Sequence, residues 1–313
     1  MTTTRVAIAQ TAPVLFDVEA SLGRVADWTA RAAAEGAALV LFPEAMIAAY
    51  PKGAIFGSYL GGRTPEGREL YRRYHESACE IPGPVTQRLA QIAGDNRIAL
   101  VTGIIERDGG TLYFTVAHFD EEGRYLGRRR KLMPTGAERL VWGLGDLSDL
   151  RAYETGAGRV ASVICWENYM PLLRTATYGL KPQIYCAPTL DERESWLASM
   201  RHIAIEGRCF VLSACQALQR RDVPEGATDQ FVDMGPDSWV CRGRSCIVDP
   251  FGAFLAGPLV DAEGLLTADL DLGQIARGTF DFDVTGHYAR PDLFRLQVNT
   301  QRQSVVTYGG AGE

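Results

Sequence analysis

The chain has 313 residues, 46% hydrophobic and 22% charged, which is ordinary globular composition with ample material for a core. Its 32 basic and 38 acidic residues leave a net charge of −6, which argues against nucleic acid and anionic membrane as partners. No apolar stretch has the ~18–20 residues of a membrane span. The start "MTTTRVAIAQTAP" lacks the basic and apolar segments of a secretory signal, so a cytoplasmic protein is expected. Seven cysteines, an odd number in a reducing compartment, argue against a disulfide framework. Neither CxxC nor HxxxH spacing occurs, so no metal site is expected.

Strands and helices alternate along the chain. "RVAIAQT" (5–11) reads as a strand, and residues 17–36 as a helix with Val18, Leu22 and Val25 on one face. "AALVLFPE" (37–44) is a continuous apolar run, as in a strand covered on both faces. A loop at 50–65, helices near 66–79 and 85–96, and a hairpin of "RIALVTGIIE" and "TLYFTVAHFD" around "RDGG" follow. The next strand ends at Lys131, and "RVASVIC" (159–165) is another apolar strand. Pro171 opens a helix. Strands at 183–189 and 209–216 flank a helix at 193–208, and 217–242 reads as a polar excursion. Two further strands and a short helix near 271–279 complete a single α/β domain, with a tail beyond 280.

Three strands end on a reactive side chain: Glu44, Lys131 and Cys165. Each has a bland reading alone, as a solvated turn carboxylate, a lysine on a basic face and a core thiol. Strand ends at one edge of an α/β sheet converge, and charged groups continuing apolar strands are costly unless paired or functional. Together they are chemically coherent. A thiol is mostly protonated at neutral pH and needs a base, which Glu44 can supply. Lys131 and the backbone N–H of Trp166 can stabilise negative charge on a tetrahedral intermediate. A Cys–His pair is the rival mechanism. His75 and His202 fall on helices and His118 within a strand. His287, in the loop "GHYARP", reads as a pocket-wall or packing residue before a proton carrier.

With these residues in place, the chain resembles the nitrilase branch of the carbon–nitrogen hydrolase superfamily. The resemblance rests on "FPEA", "RRKLMPTGAERLVWG" and "CWENYMP", and on segments such as "YHESACEIPGP", "HIAIEGRCFVLSACQ" and "GHYARPDLF" in the same order, over roughly residues 5 to 298. It implies a four-layer αββα sandwich over residues 1–280 and a tail, 281–313, in subunit contacts. It implies a catalytic Glu44, Lys131 and Cys165, with Glu138 holding Lys131. It also implies no cofactor, a small-molecule nitrile as substrate, and a homodimer extending into spiral oligomers. Tyr50, Trp142, Trp166 and Thr189 are the substrate-pocket candidates, against a plain packing role. Asn168 and Tyr169 place the chain nearer plant-like and bacterial aromatic nitrilases than cyanide-degrading ones. Arg130, where many relatives have histidine, and Leu147, where glycine is common, depart from the pattern. An amidase or amide-forming activity on the same residues is the alternative, and an inactive binding scaffold is the alternative of another class.

Overall fold

Alternation in the first strand sets the layers of the molecule, whose computed structural model describes residues 3–228, 230–304 and 306. In β1 (Thr3–Gln10), Val6 and Ile8 face one way and Ala7 and Ala9 the other, as the two-residue period of a strand requires. Ala7 and Ala9 meet Leu22, Val25 and Trp28 of α1 (Val18–Ala34), whose N-terminus is capped by Asp17 accepting from the Ala20 N–H at 2.9 Å. Each of those helix side chains contributes about 1.5–3 kcal/mol by leaving water. A charge at Val25 would therefore peel α1 off the sheet.

The remaining elements of the first half are β2 (Leu39–Leu41), a small hairpin of β3 (Ser58–Tyr59) and β4 (Gly62–Arg63), α2 (Pro65–Ser77), α3 (Pro84–Asn96), β5 (Ala99–Asp108), β6 (Thr111–Phe119) and β7 (Tyr125–Arg130). The second half holds β8 (Tyr153–Thr155), β9 (Gly158–Ser162), α4 (Pro171–Gly179), β10 (Ile184–Cys186), α5 (Glu194–Gly207), β11 (Phe210–Ser213), β12 (Ala217–Gln219), β13 (Trp239–Val248), β14 (Phe254–Val260), β15 (Gly264–Asp271) and α6 (Gly273–Asp281). One sheet runs β15-β1-β2-β5-β6-β7, and the other β12-β13-β11-β10-β9-β8 with β14 beside β13. β1, β2 and β5 are parallel, as are β9, β10 and β11, so each sheet has a parallel centre and antiparallel flanks.

The sheets face each other through Val6, Ile8, Leu41 and Val101 on one side and Val160, Ile184, Phe210 and Leu212 on the other. Outside the second sheet, Tyr185 and Val211 pack on Leu173 of α4 and on Trp196, Met200 and Ile203 of α5. The order is thus helix, sheet, sheet, helix: the expected αββα sandwich.

Three local differences have physical causes. The apolar run at 37–44 is a strand only over Leu39–Leu41, because the chain turns at Pro43 and Ala45 adopts a left-handed φ of 52°. The turn is buried nonetheless, since Phe42 N–H still bonds to Val101 C=O at 2.9 Å and Ile47 N–H to Gly103 C=O at 3.1 Å. The excursion at 217–242 contains β12 and the start of β13. β8 is too short for a periodic signal. All seven cysteines are buried free thiols.

His118 lies in β6, buried against Tyr153 at 4.6 Å between ring centroids, and its Nδ1 has no hydrogen-bond partner among the described residues. Burial, with the Arg129 charge adding to it, lowers its pKa from 6.5 to about 3. Below about pH 6.5 the unfolded chain binds a proton that the folded chain refuses. Stability therefore falls as pH falls, until the folded ring also protonates near pH 3. Between pH 6.5 and 5 the expected loss is about 2 kcal/mol. Urea unfolding of His118→Leu at pH 7 and pH 5 checks this: the variant should lose that part of the pH slope, and an unchanged slope would refute the assignment.

Candidate functional site

Glu44, Lys131 and Cys165 come from three loops that leave the same end of the sandwich. Glu44 follows β2, Lys131 follows β7, and Cys165 follows β9. The first two belong to one sheet and the third to the other. Gly103 in β5 lets the Glu44 turn come close: a Cβ there would sit 2.4 Å from Ala45 N and 2.7 Å from Glu44 Cα. A glycine inside a strand signals such an approach, and "VTGIIE" carries one.

Lys131 is 1% exposed. Its Nζ donates to Glu44 Oε1 at 2.8 Å and to Glu138 Oε2 at 3.0 Å. Glu138 is the third residue of a short 3-10 turn, Gly136–Leu140, and its Oε2 also accepts from Thr135 N–H at 2.6 Å. Its other oxygen accepts from the Tyr50 hydroxyl at 3.0 Å. Tyr50 and Glu138 thus form one side of the site and Glu44 the other, with the ammonium between them. Gln216 Nε2, just past β11, fixes the Glu44 turn by donating to its C=O at 2.7 Å.

Cys165 begins a second 3-10 turn, Cys165–Tyr169, with a left-handed φ of 48°. A non-glycine residue held there stores strain that the surroundings must sustain, and such residues cluster at functional sites. Its N–H bonds to Pro188 C=O at 2.9 Å, and Thr189 Oγ1 donates to Sγ at 3.2 Å.

The electrostatics follow from burying one ammonium with two carboxylates and a thiol. Burial pushes Glu44 up to about 7, against the opposing pull of Lys131. Burial works against the Lys131 ammonium, but Glu44, Cys165 and Glu138 more than offset it and its pKa is raised. Burial first, and the Glu44 charge second, hold the Cys165 thiol well above its ordinary range. The resting sulfur is therefore protonated, with the Glu44 carboxyl close enough for its charge to act on it. A carboxylate titrating near neutrality beside a thiol is matched to taking that proton as the sulfur attacks.

A pocket of about 280 Å³ opens over Cys165, walled by Tyr50, Lys52, Glu138, Trp166, Leu190 and Arg193. Trp166 is 41% exposed at its mouth, its Nε1 bonded to Asp191 at 2.8 Å and the Arg193 guanidinium 4.6 Å from its ring centre. Trp142 lies behind Tyr50, its ring 6.0 Å away and parallel to within 3°, and lines a neighbouring cavity of about 290 Å³. Thr189 touches the sulfur from below. His287 is exposed, edge-on to Tyr288, and is not among the residues lining the Cys165 pocket. A larger cavity of about 660 Å³ lies between Arg128, Arg130 and Asp149 and holds none of the three strand-end residues. Among the described residues no group of three His, Cys, Asp or Glu could hold a metal ion.

Sequence reasoning passed over Lys52, Asp191, Arg193, Gln216 and Glu167. Gln216 and Glu167 had a usable signal, since one directly follows the "SAC" strand end and the other lies two residues past Cys165.

Residues 5–278 match the family model of the carbon-nitrogen hydrolases. The chain is 53% identical to an aliphatic nitrilase of Sinorhizobium fredii (strain HH103), covering 98% of this chain and 99% of that one. It is 51% identical to a bifunctional nitrilase/nitrile hydratase of Nicotiana tabacum (98% and 89% covered) and 48% identical to nitrilase 2 of Arabidopsis thaliana (98% and 92%). The solved structure of Saccharomyces cerevisiae Nit3 shares the fold, with a TM-score of 0.70 over 91% of this chain and 96% of that one at 21% identity. An amidase from Nesterenkonia sp. does so with a TM-score of 0.67 over 87% and 92%, at 22% identity. The strand-end site, the four layers and the near full-length similarity agree: the chain belongs to the carbon–nitrogen hydrolase family and, within it, to the nitrilases.

Proposed function

We propose that this chain hydrolyses an organic nitrile to a carboxylic acid and ammonia, with Cys165 as nucleophile, Glu44 as general base, Lys131 stabilising the tetrahedral states and Glu138 holding Lys131. The observation that carries the reading is the buried Lys131 ammonium, bonded to both Glu44 and Glu138, with Glu138 and Cys165 lining one pocket. Glu44 takes the thiol proton as sulfur attacks the nitrile carbon. The nitrile nitrogen gains that proton, leaving a thioimidate. Water, deprotonated by Glu44, adds to give a tetrahedral carbon bearing OH, NH₂ and S. Loss of ammonia leaves a thioester. A second water releases the acid and restores the thiol. Lys131, joined by the Trp166 N–H, offsets the developing negative charge at each addition.

The tetrahedral carbon can instead lose the thiol and yield an amide. The tobacco relative's name, bifunctional nitrilase/nitrile hydratase, supports measuring that branch here. A panel of aliphatic, aromatic, arylacetonitrile and cyano-amino-acid nitriles, with acid, amide and ammonia all quantified, tests the proposal. Acid plus equimolar ammonia from at least one nitrile is expected. Turnover of amides alone would favour an amidase, and binding without turnover would favour a scaffold.

The same reading includes a cytoplasmic, self-associating enzyme of one catalytic domain, residues 1–280, with the tail in subunit contacts. Among the described residues no helix is long and apolar enough to cross a membrane. Tyr169 and Met170 at the cysteine turn, and Leu172 just after it, are exposed apolar side chains suited to contact with a second copy. Light scattering should return a multiple of 34.2 kDa, and a monomer at micromolar concentration would refute self-association.

A further inference from the structure

Glu167 is 1% exposed, two residues beyond Cys165, and its carboxylate takes four donors. Oε1 accepts from Leu132 N–H at 2.5 Å and Arg129 Nη1 at 3.1 Å. Oε2 accepts from Ile164 N–H at 3.1 Å and from Arg129 Nη2. Leu132 directly follows Lys131, and Ile164 directly precedes Cys165. One carboxylate therefore ties the peptide beside the ammonium to the peptide beside the sulfur. Arg129, also buried, extends the tie by donating from Nε to Ser162 C=O at 3.0 Å and from Nη1 to Arg130 C=O at 3.2 Å.

The two loops so joined leave different sheets, β7 from one and β9 from the other. Backbone ladders fix Lys131 relative to Glu44, because both belong to the first sheet. They do not fix Cys165 relative to either, because the sheets meet mainly through apolar side chains, and the polar links between them at Gln216–Glu44 and Ser245–Gln10 do not reach the Cys165 turn. A dry, bidentate arginine–carboxylate pair is the stiff, directional contact such a junction needs.

We propose that Glu167, with Arg129 as its counter-ion, is a positioning residue that sets Lys131 against Cys165 and so decides how the tetrahedral intermediate breaks down. This rests on the catalytic reading of Lys131 and Cys165. Ammonia and thiol leave from the same carbon. Which one goes depends on whether a proton is delivered to nitrogen or to sulfur, two atoms bonded to the same carbon. Loosening the tie shifts that choice, which simple loss of stability does not.

The test compares Glu167→Gln with the double variant Glu167→Gln/Arg129→Gln, which removes both buried charges together and leaves neither unpaired. Arg129→Lys, which keeps the charge and loses the fork, is the third variant. Melting temperature, kcat, KM, the acid-to-amide ratio and the rate of Cys165 alkylation by iodoacetamide are measured on the best nitrile of the panel. For the double variant a kcat lower by about 100-fold, a KM within about threefold and an amide share raised several-fold are expected. Arg129→Lys should move the ratio in the same direction by less. A folded double variant with the wild-type ratio overturns the proposal, as does a kcat loss that only tracks melting temperature. If none of the three variants folds, the pair is structural and the proposal falls. Failure of the underlying reading shows separately, as turnover surviving in Cys165→Ala.

Discussion

Cys165→Ala should abolish nitrile turnover, by more than roughly 10⁵-fold, while leaving the fold intact. The loss is large because neighbouring nucleophilic groups are engaged elsewhere: Thr189 points its hydroxyl at the sulfur, Tyr50 donates to Glu138 and Lys52 donates to Val240 C=O. The fold survives because alanine removes one atom from a site whose backbone is held elsewhere, by the Cys165 N–H bond to Pro188 and the Asn168 side chain bonding to Val163 and Cys165 C=O at 2.9 and 2.8 Å. The expected stability cost is about 1 kcal/mol. Acid and ammonia release, read with a thermal melt, checks both parts. Activity within tenfold of wild type would overturn the mechanism.

Lys131→Met should be as damaging to turnover and far more damaging to the fold. It removes the only cation bonded to Glu44 and Glu138 in the described site and leaves their charges buried, a cost of about 3–5 kcal/mol. The penalty carries a pH signature. Glu44 is already pushed up to about 7 by burial and loses the pull that opposes it, so the folded variant holds its proton to higher pH than the unfolded chain does. A group whose folded pKa is raised contributes stability at low pH and loses it as pH rises. Lys131→Met should therefore be more destabilised, relative to wild type, at pH 8 than at pH 5. Melting temperatures at the two values measure this, and a pH-independent difference would contradict the buried-carboxylate account.

The parts of the site that were legible in the sequence share one physical origin. A strand covered on both faces must be apolar, so Glu44, Lys131 and Cys165 stand out where such strands stop. Thr189, a pocket candidate by the same rule, one residue past "CAP", donates its hydroxyl to the Cys165 sulfur. What stayed hidden depends on partners distant in the chain. Gln216 reaches the Glu44 turn across 172 positions, and Arg129 meets Glu167 across 38. The positions of Gln216 and Glu167 beside strand ends mark them as candidates, but no local pattern encodes which distant residue each one meets. Trp142 illustrates the reverse case. Its position beside the lysine segment suggested the pocket, yet its place behind Tyr50 was decided by stacking on Phe114, 4.4 Å away between ring centroids.

The pocket wall is made of two materials. Cys165, Glu138 and Tyr50 are bonded into the frame, and Gly103 leaves no room for a side chain that would move Glu44. Leu190, Glu192, Arg193 and Lys52 belong instead to loops at the rim, where Arg193 is half exposed and Lys52 pairs with Glu192. Reaction geometry and substrate shape are thereby written in separate residues. A library confined to Lys52, Leu190, Glu192 and Arg193 would vary which nitrile enters while the bond-making atoms stay in place.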